Sequence, residues 1–218
     1  MFNYVEDKEY LSRVRGVCGD IMQSLCHTLK EKYDIGASFF LVGSGARNLI
    51  LQNANLPIDL DYNLEITRID DWEDCKGIKE RVRKAFNTVL KENGWADCED
   101  STSSLTTKKR PITRGDATEF SMDVCIIRED VDGNYHRLIH EKTGFTLTDR
   151  YYWNQALNSS GIRKKVDFIK SKGKWNLVRE QYLQIKNNYL TSNDHNHPSF
   201  ICYIEAVNNV YNSRKGWK

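Results

Sequence analysis

Residues 39–66 read FFLVGSGARNLILQNANLPIDLDYNLEI, and the two halves of this stretch decide the fold class. Ser38 to Val42 is a short apolar run ending at Gly43-Ser44-Gly45, ahead of a helical pattern through Ala46, Leu49 and Ile50. This is the order strand, tight turn, helix. Glycines at 43 and 45 let the backbone approach an anion closely, Ser44 adds a hydroxyl, and the first N–H groups of a following helix point the same way. Such a turn suits a β- or γ-phosphate. Glycine also serves such turns for steric reasons alone, so the second half of the stretch has to sharpen the reading.

From Ile58 to Ile66 the residues alternate, with Leu60, Tyr62, Leu64 and Ile66 on one face and Asp59, Asp61, Asn63 and Glu65 on the other. Two carboxylates two positions apart on a strand point the same way and repel each other unless a cation lies between them. Magnesium fits, because it takes oxygen ligands and is usually completed by substrate phosphates rather than by a full protein cage. An edge strand with a solvated acidic face is the bland alternative.

A third carboxylate is expected from a neighbouring strand, and EFSMDVCII, residues 119–127, supplies it. Phe120, Met122, Val124 and Ile126 form one face, and Asp123 lies on the opposite face with Glu119, Ser121, Cys125 and Ile127. An acid flanked by apolar residues costs several kcal/mol to bury unless it is paired or metal-bound. Asp123 is therefore the third candidate ligand and the candidate base. Two ions about 3.5–4 Å apart would clamp the attacking and leaving oxygens of an in-line displacement.

Taken together, Val42-Gly43-Ser44, Asp59-Leu60-Asp61-Tyr62 and Met122-Asp123-Val124 resemble the motifs of the DNA polymerase beta superfamily of nucleotidyltransferases, in its small prokaryotic type. The resemblance spans residues 39–127. It implies that Gly43 and Ser44, with Gly45 beside them, hold a triphosphate, that Asp59 and Asp61 bind both metals, and that Asp123 completes the metal that activates the acceptor hydroxyl. It further implies transfer of a nucleoside monophosphate from an NTP, ATP in the first instance, with release of pyrophosphate and with Mg2+, or Mn2+, as cofactor. Arg47, just inside the short helix, either reaches the phosphates or forms a structural ion pair. Relatives use a small molecule, an RNA end, a protein side chain or a second nucleotide as hydroxyl acceptor. The chain is short for the last group and lacks an extended basic surface for long RNA, which favours a small or protein acceptor. The rival from another class is a non-catalytic nucleotide-binding regulatory module of the same fold. The presence of all three carboxylates speaks against it.

Around these motifs the composition is ordinary. The chain has 218 residues, 39% hydrophobic and 28% charged, with three prolines and a formal charge of +2, which excludes a fibrous or disordered class and gives no global case for nucleic-acid binding. No run approaches the roughly 20 apolar residues of a membrane span, and the N-terminus MFNYVEDKEY has no apolar signal core. A cytoplasmic protein with no membrane partner is expected. Six cysteines without a Cys-x-x-Cys spacing indicate reduced thiols rather than a zinc or redox motif.

Residues 6–32 read as a long amphipathic helix ending near Asp34-Ile35-Gly36. A second helix follows an acid-rich start at Asp70–Asp74, read as capping, and stops at Asn93-Gly94. Residues 95–107 carry one or two strands, and Lys108-Lys109-Arg110, with Arg114 beyond, is either a substrate-facing basic cluster or a solvated turn. Asp132-Gly133 signals a hairpin. From Asp149 the chain is read as helical, beginning with RYYWNQALN, where Tyr151, Tyr152 and Trp153 offer either a stacking surface for a base or a junction core. His195 and His197 read as loop residues ahead of a helix rather than ligands. The expected architecture is α+β, a mixed β-sheet core with packed helices over 1–148 and a helical region over 149–218. The oligomeric state is left open.

Overall fold

The computed structural model describes residues 1–113, 115–156, 160–192, 194 and 198–217; Arg114, His195 and His197 lie outside the described residues. In chain order the elements are β1 (Phe2–Tyr4), α1 (Lys8–Tyr33), β2 (Gly36–Leu41), α2 (Gly43–Arg47), β3 (Leu51–Asn53), β4 (Ile58–Arg68) and α3 (Cys75–Glu92). There follow β5 (Glu99–Asp100), β6 (Leu105–Thr106), β7 (Phe120–Glu129), β8 (Tyr135–Glu141), β9 (Arg150–Gln155), α4 (Ser160–Ser171), α5 (Trp175–Thr191), α6 (Ser199–Asn212) and a short 3-10 turn. The chain is α+β, as expected, and forms two discontinuous compact units. One comprises Asp7–Val42 and Pro57–Ala156, the other Met1–Glu6, Gly43–Leu56 and Leu157–Lys218. These units do not follow the 1–148 and 149–218 division.

The first unit is built on one mixed sheet in the order β2-β4-β7-β6-β5, with β8 paired to β7 and β9 to β8. Only the β4–β7 pair is parallel; the rest are antiparallel. The alternation read from Ile58 to Ile66 is reproduced as burial: Ile58, Leu60, Tyr62, Leu64 and Ile66 are buried and the residues between them are not. Phe120, Met122, Val124 and Ile126 are likewise buried on β7, and β7 closes on β8 through the turn at Gly133, whose φ of 79° explains the glycine. Helix α1 packs on α3 and β2, with Val14, Cys18, Ile21, Leu25 and Leu29 as its buried stripe. Asp7 and Asp74 cap α1 and α3, accepting from Tyr10 and Gly77 N–H respectively.

The helical reading of RYYWNQALN is corrected. Arg150–Gln155 is β9, in register with β8 from His136↔Gln155 to Glu141↔Arg150. Its aromatics are strand formers that alternate: Tyr151 stacks on His140 at 4.2 Å, Trp153 donates from Nε1 to the Trp72 carbonyl at 2.9 Å, and Tyr152 between them is exposed.

Four ionisable groups tie this end of the sheet to α3. Lys79, 2% exposed, pairs with Asp100 at 2.8 Å and donates to the Ser101 carbonyl at 2.8 Å. His140, 5% exposed, bridges Asp100 at 2.9 Å and Asp149 at 3.0 Å. Burial raises the Asp100 carboxyl, but Lys79 and His140 outweigh it and hold it below the usual carboxylate range. The Thr143 N–H and His140 do the same for Asp149. In the acid range the unfolded chain thus binds protons more readily than the fold at these two sites. The stabilisation they give is complete above about pH 5 and is lost as pH falls through their depressed values. The melting temperature is expected to drop between about pH 4 and pH 2, and Asp149→Asn to flatten that drop. An unchanged acid limb in the variant would contradict this assignment.

The second unit holds a separate core. Val166 and Ile169 of α4, Val178 and Ile185 of α5, and Ala206 and Val207 of α6 meet in it. The small β1–β3 sheet is tied to α5, since Asn187 Oδ1 accepts from Phe2 N–H at 2.7 Å and Tyr4 donates its hydroxyl to the Arg179 carbonyl at 2.7 Å. Among the described residues no helix is long and apolar enough to cross a membrane, and the six cysteines are unpaired.

Candidate active site

The acidic cluster is set by the parallel pairing of β4 with β7. Its register places Asp59 opposite Ser121 and Asp61 opposite Asp123, and paired residues on adjacent strands share a face. All three aspartates therefore lie on the side of the sheet opposite Leu60, Tyr62, Met122 and Val124. On the far side of β7, Thr106 of β6 is in register with Asp123.

Hydroxyls are matched to the carboxylates. Ser121 donates to Asp59 Oδ1, Thr106 donates to Asp123 Oδ1, and Ser104 lies 3.5 Å from that same oxygen. Burial is the main cause pushing the Asp123 carboxyl up; the Thr106 bond offsets part of it, and the Asp59 charge adds to the rise. Such a carboxyl is a better proton acceptor than an ordinary one. Asp59 is exposed and Asp61 half-buried. Two residues beyond Asp61 on the same face, Asn63 has its Oδ1 buried without a protein hydrogen-bond partner.

Carboxylate oxygens on one face of two adjacent strands, with a buried amide oxygen beside them, are the donor chemistry that a hard divalent cation takes. As placed, the side chains do not form a finished cage: among the described residues, no group of three or more His, Cys, Asp or Glu side chains is arranged to hold a metal ion. The hydroxyls account for part of this, since Asp59 is engaged by Ser121 and Asp123 by Thr106.

The glycine turn follows β2 directly in the chain. Val42 N–H donates to the Asp61 carbonyl at 2.8 Å, and the next residue, Gly43, has φ 61°, a left-handed conformation that favours glycine. Residues 43–56 belong to the second unit. The helix is shorter than the pattern through Leu49 and Ile50 suggests, because Asn48 turns left-handed at φ 56°. Arg47 donates to the Gly43 carbonyl at 2.6 Å and lies 4.5 Å over the Tyr203 ring, so its guanidinium is engaged within its own unit. In the basic cluster, Lys108 and Lys109 are exposed while Arg110 lies 4.4 Å over Trp95.

Sequence reasoning missed Ser104, Thr106 and Ser121 as partners of the aspartates. The serine and threonine content of residues 101–107 was a strand signal only, and the hydroxyls acquire their meaning from a register that no local pattern fixes.

No family model matches the chain, and no curated protein matches it. Solved structures do. CdnC of E. coli MS115-1, solved with ATP, is 18% identical over 95% of this chain and 62% of its own, with a TM-score of 0.54. The Vibrio cholerae DncV cyclic AMP-GMP synthase, in complex with the linear intermediate pppA(3',5')pG, is 10% identical over 85% of this chain and 64% of its own, at 0.59. Elizabethkingia meningoseptica CdnE cyclic dinucleotide synthase, with GTP and Apcpp, is 11% identical over 89% of this chain and 69% of its own, at 0.52. The chain thus spans about 62% of the length of CdnC. At these identities the likeness is one of fold alone.

Proposed function

We propose that the chain is a metal-dependent nucleotidyltransferase that moves a nucleoside monophosphate from an NTP to a hydroxyl and releases pyrophosphate. The observation that carries this reading is the register of Asp61 against Asp123, with Asp59 on the same face of β4. In the reaction the acceptor oxygen bonds to the α-phosphorus, the bond from that phosphorus to the α–β bridging oxygen breaks, and pyrophosphate departs with that electron pair. Asp123, directly opposite Asp61 in the register, takes the acceptor proton. Gly43, Ser44 and Gly45 position the leaving diphosphate through backbone N–H groups and a hydroxyl. Asp59, Asp61 and Asp123 would hold Mg2+, which when bound neutralises developing phosphate charge and lowers the pKa of the attacking hydroxyl. Arg47, which donates to the Gly43 carbonyl at 2.6 Å, holds the backbone of the glycine turn.

The likeness to two synthases that join nucleotides supports a second nucleotide's ribose hydroxyl as acceptor, the class that chain length had disfavoured. The test incubates the chain with magnesium and each ribonucleoside triphosphate, singly and in pairs, measures pyrophosphate and resolves the products. Pyrophosphate with a nucleotide–nucleotide product bears the reading out. Pyrophosphate only after a small molecule or a protein is added would leave the transferase and replace the acceptor. Neither turnover nor magnesium-dependent triphosphate binding would reduce the chain to its fold.

A further inference from the structure

The first unit has a pocket on the other face of the sheet from the aspartates. Register pairs Arg137 of β8 with Ile127 of β7, so Arg137 shares the face of Ile127, Cys125 and Asp123. His140, three residues further, points to the opposite, helix-covered face. There it forms the wall of a 190 Å³ pocket together with Lys79, Asp100 and Asp149.

The wall is complete in itself. His140 Nδ1 lies 2.9 Å from an Asp100 carboxylate oxygen and Nε2 lies 3.0 Å from one of Asp149. The Lys79 ammonium pairs with Asp100 at 2.8 Å, so the ionisable groups of the wall are engaged with one another. Burying four such groups gains little stability over an apolar core, and a buried ionisable cluster around a void marks a candidate binding site.

The mouth is not neutralised in the same way. Lys76 and Arg83 stand seven residues apart on one side of α3 and both line the pocket. Neither is ion-paired among the described residues. Thr146 and Tyr151 also line the pocket, with Lys76 Nζ 6.0 Å over the Tyr151 ring, and Glu80, between the two cations on the helix, adds a carboxylate. Two cations on one side of a helix recognise an oxyanion, and the carboxylate between them recognises a hydroxyl. The volume lies below the roughly 300 Å³ at which drug-sized ligand pockets begin, which favours a small ligand.

We infer that this pocket binds a small oxyanion carrying a neighbouring hydroxyl, a phosphate monoester or a hydroxycarboxylate, held by Lys76 and Arg83 and separate from the aspartate face. The inference does not depend on the proposed transferase activity. The test is isothermal titration of the full chain, at constant ionic strength, with sn-glycerol 3-phosphate and with malate as probes. At least one probe is expected to bind saturably at one site, and the stronger of the two tells phosphate from carboxylate. The double variant Lys76→Gln/Arg83→Gln, altered at side chains on the surface of α3, is expected to weaken that binding at least about tenfold, the cost of losing charge-assisted hydrogen bonds. Asp61→Asn is expected to leave it unchanged. The inference is overturned if neither probe saturates, if the double variant binds as tightly as the natural chain, or if Asp61→Asn abolishes binding, which would put the ligand on the aspartate face instead.

Discussion

Asp61→Asn is expected to lower magnesium-dependent pyrophosphate release by about 10³-fold or more, the scale on which several kcal/mol of metal-borne charge stabilisation is lost from a transition state. Asp61 is the central member of the acidic group. It sits two residues from Asp59 on one strand and directly opposite Asp123 on the next, so no neighbour can substitute for it as the bridge between them. Asparagine keeps the shape and removes the charge, and the backbone at this point is held independently, since the Asp61 carbonyl accepts from Val42 N–H. The fold should therefore survive, with a melting temperature unchanged or slightly raised as like charges are relieved. The same variant separates the rival readings. A chain that uses its acidic face only for contact with a basic partner would show the thermal behaviour and no effect on triphosphate binding. Turnover that persists in Asp61→Asn within tenfold of the natural chain would remove the carboxylates from the mechanism.

How much of this was legible beforehand follows from the range of each signal. The β4 alternation, the Gly43 turn, the capping at Asp74 and the Gly133 hairpin are local, fixed by periods of two or 3.6 residues or by a single φ. Each is found where the sequence places it. Strand β9 was misread because aromatic residues serve helix faces and strands alike; its alternation becomes evident only when Tyr151 and Trp153 have found His140 and Trp72 as partners. Helix α2 was overextended because nothing in Asn48-Leu49-Ile50 announces a left-handed asparagine. The division into units was beyond local reading altogether. Residues 1–6 and 43–56 join helices that begin more than a hundred residues later, and the contacts that recruit them, such as Asn187 with Phe2, carry no signature at either end. The same holds for the candidate site: the three aspartates were visible as residues, whereas the hydroxyls of Thr106 and Ser121 became visible only through strand register.

Lys79→Met is expected to destabilise the chain by about 3 kcal/mol, near the lower end of the cost of breaking a buried ion pair from one side. For a chain of this size that is a fall in melting temperature of roughly 6–12 °C. Burial lowers the Lys79 pKa and the Asp100 carboxylate partly restores it, so the ammonium is kept charged by the partner it was folded against. With methionine in its place the stem still fills the space beside α3. The Ser101 carbonyl loses its donor and Asp100 retains only His140, a half-buried carboxylate whose remaining oxygen has nothing to accept from. The damage should propagate along one line, because Asp100, His140 and Asp149 are consecutive links between β5, β8 and the start of β9. Two further variants distinguish an uncompensated charge from a mere packing defect. Asp100→Asn in the Lys79→Met background removes the stranded charge and should recover part of the lost stability, whereas Asp100→Asn alone should destabilise by leaving the ammonium unpaired. Additive losses in the double variant would show that the two side chains act independently and that the pair is not what holds β5 to α3.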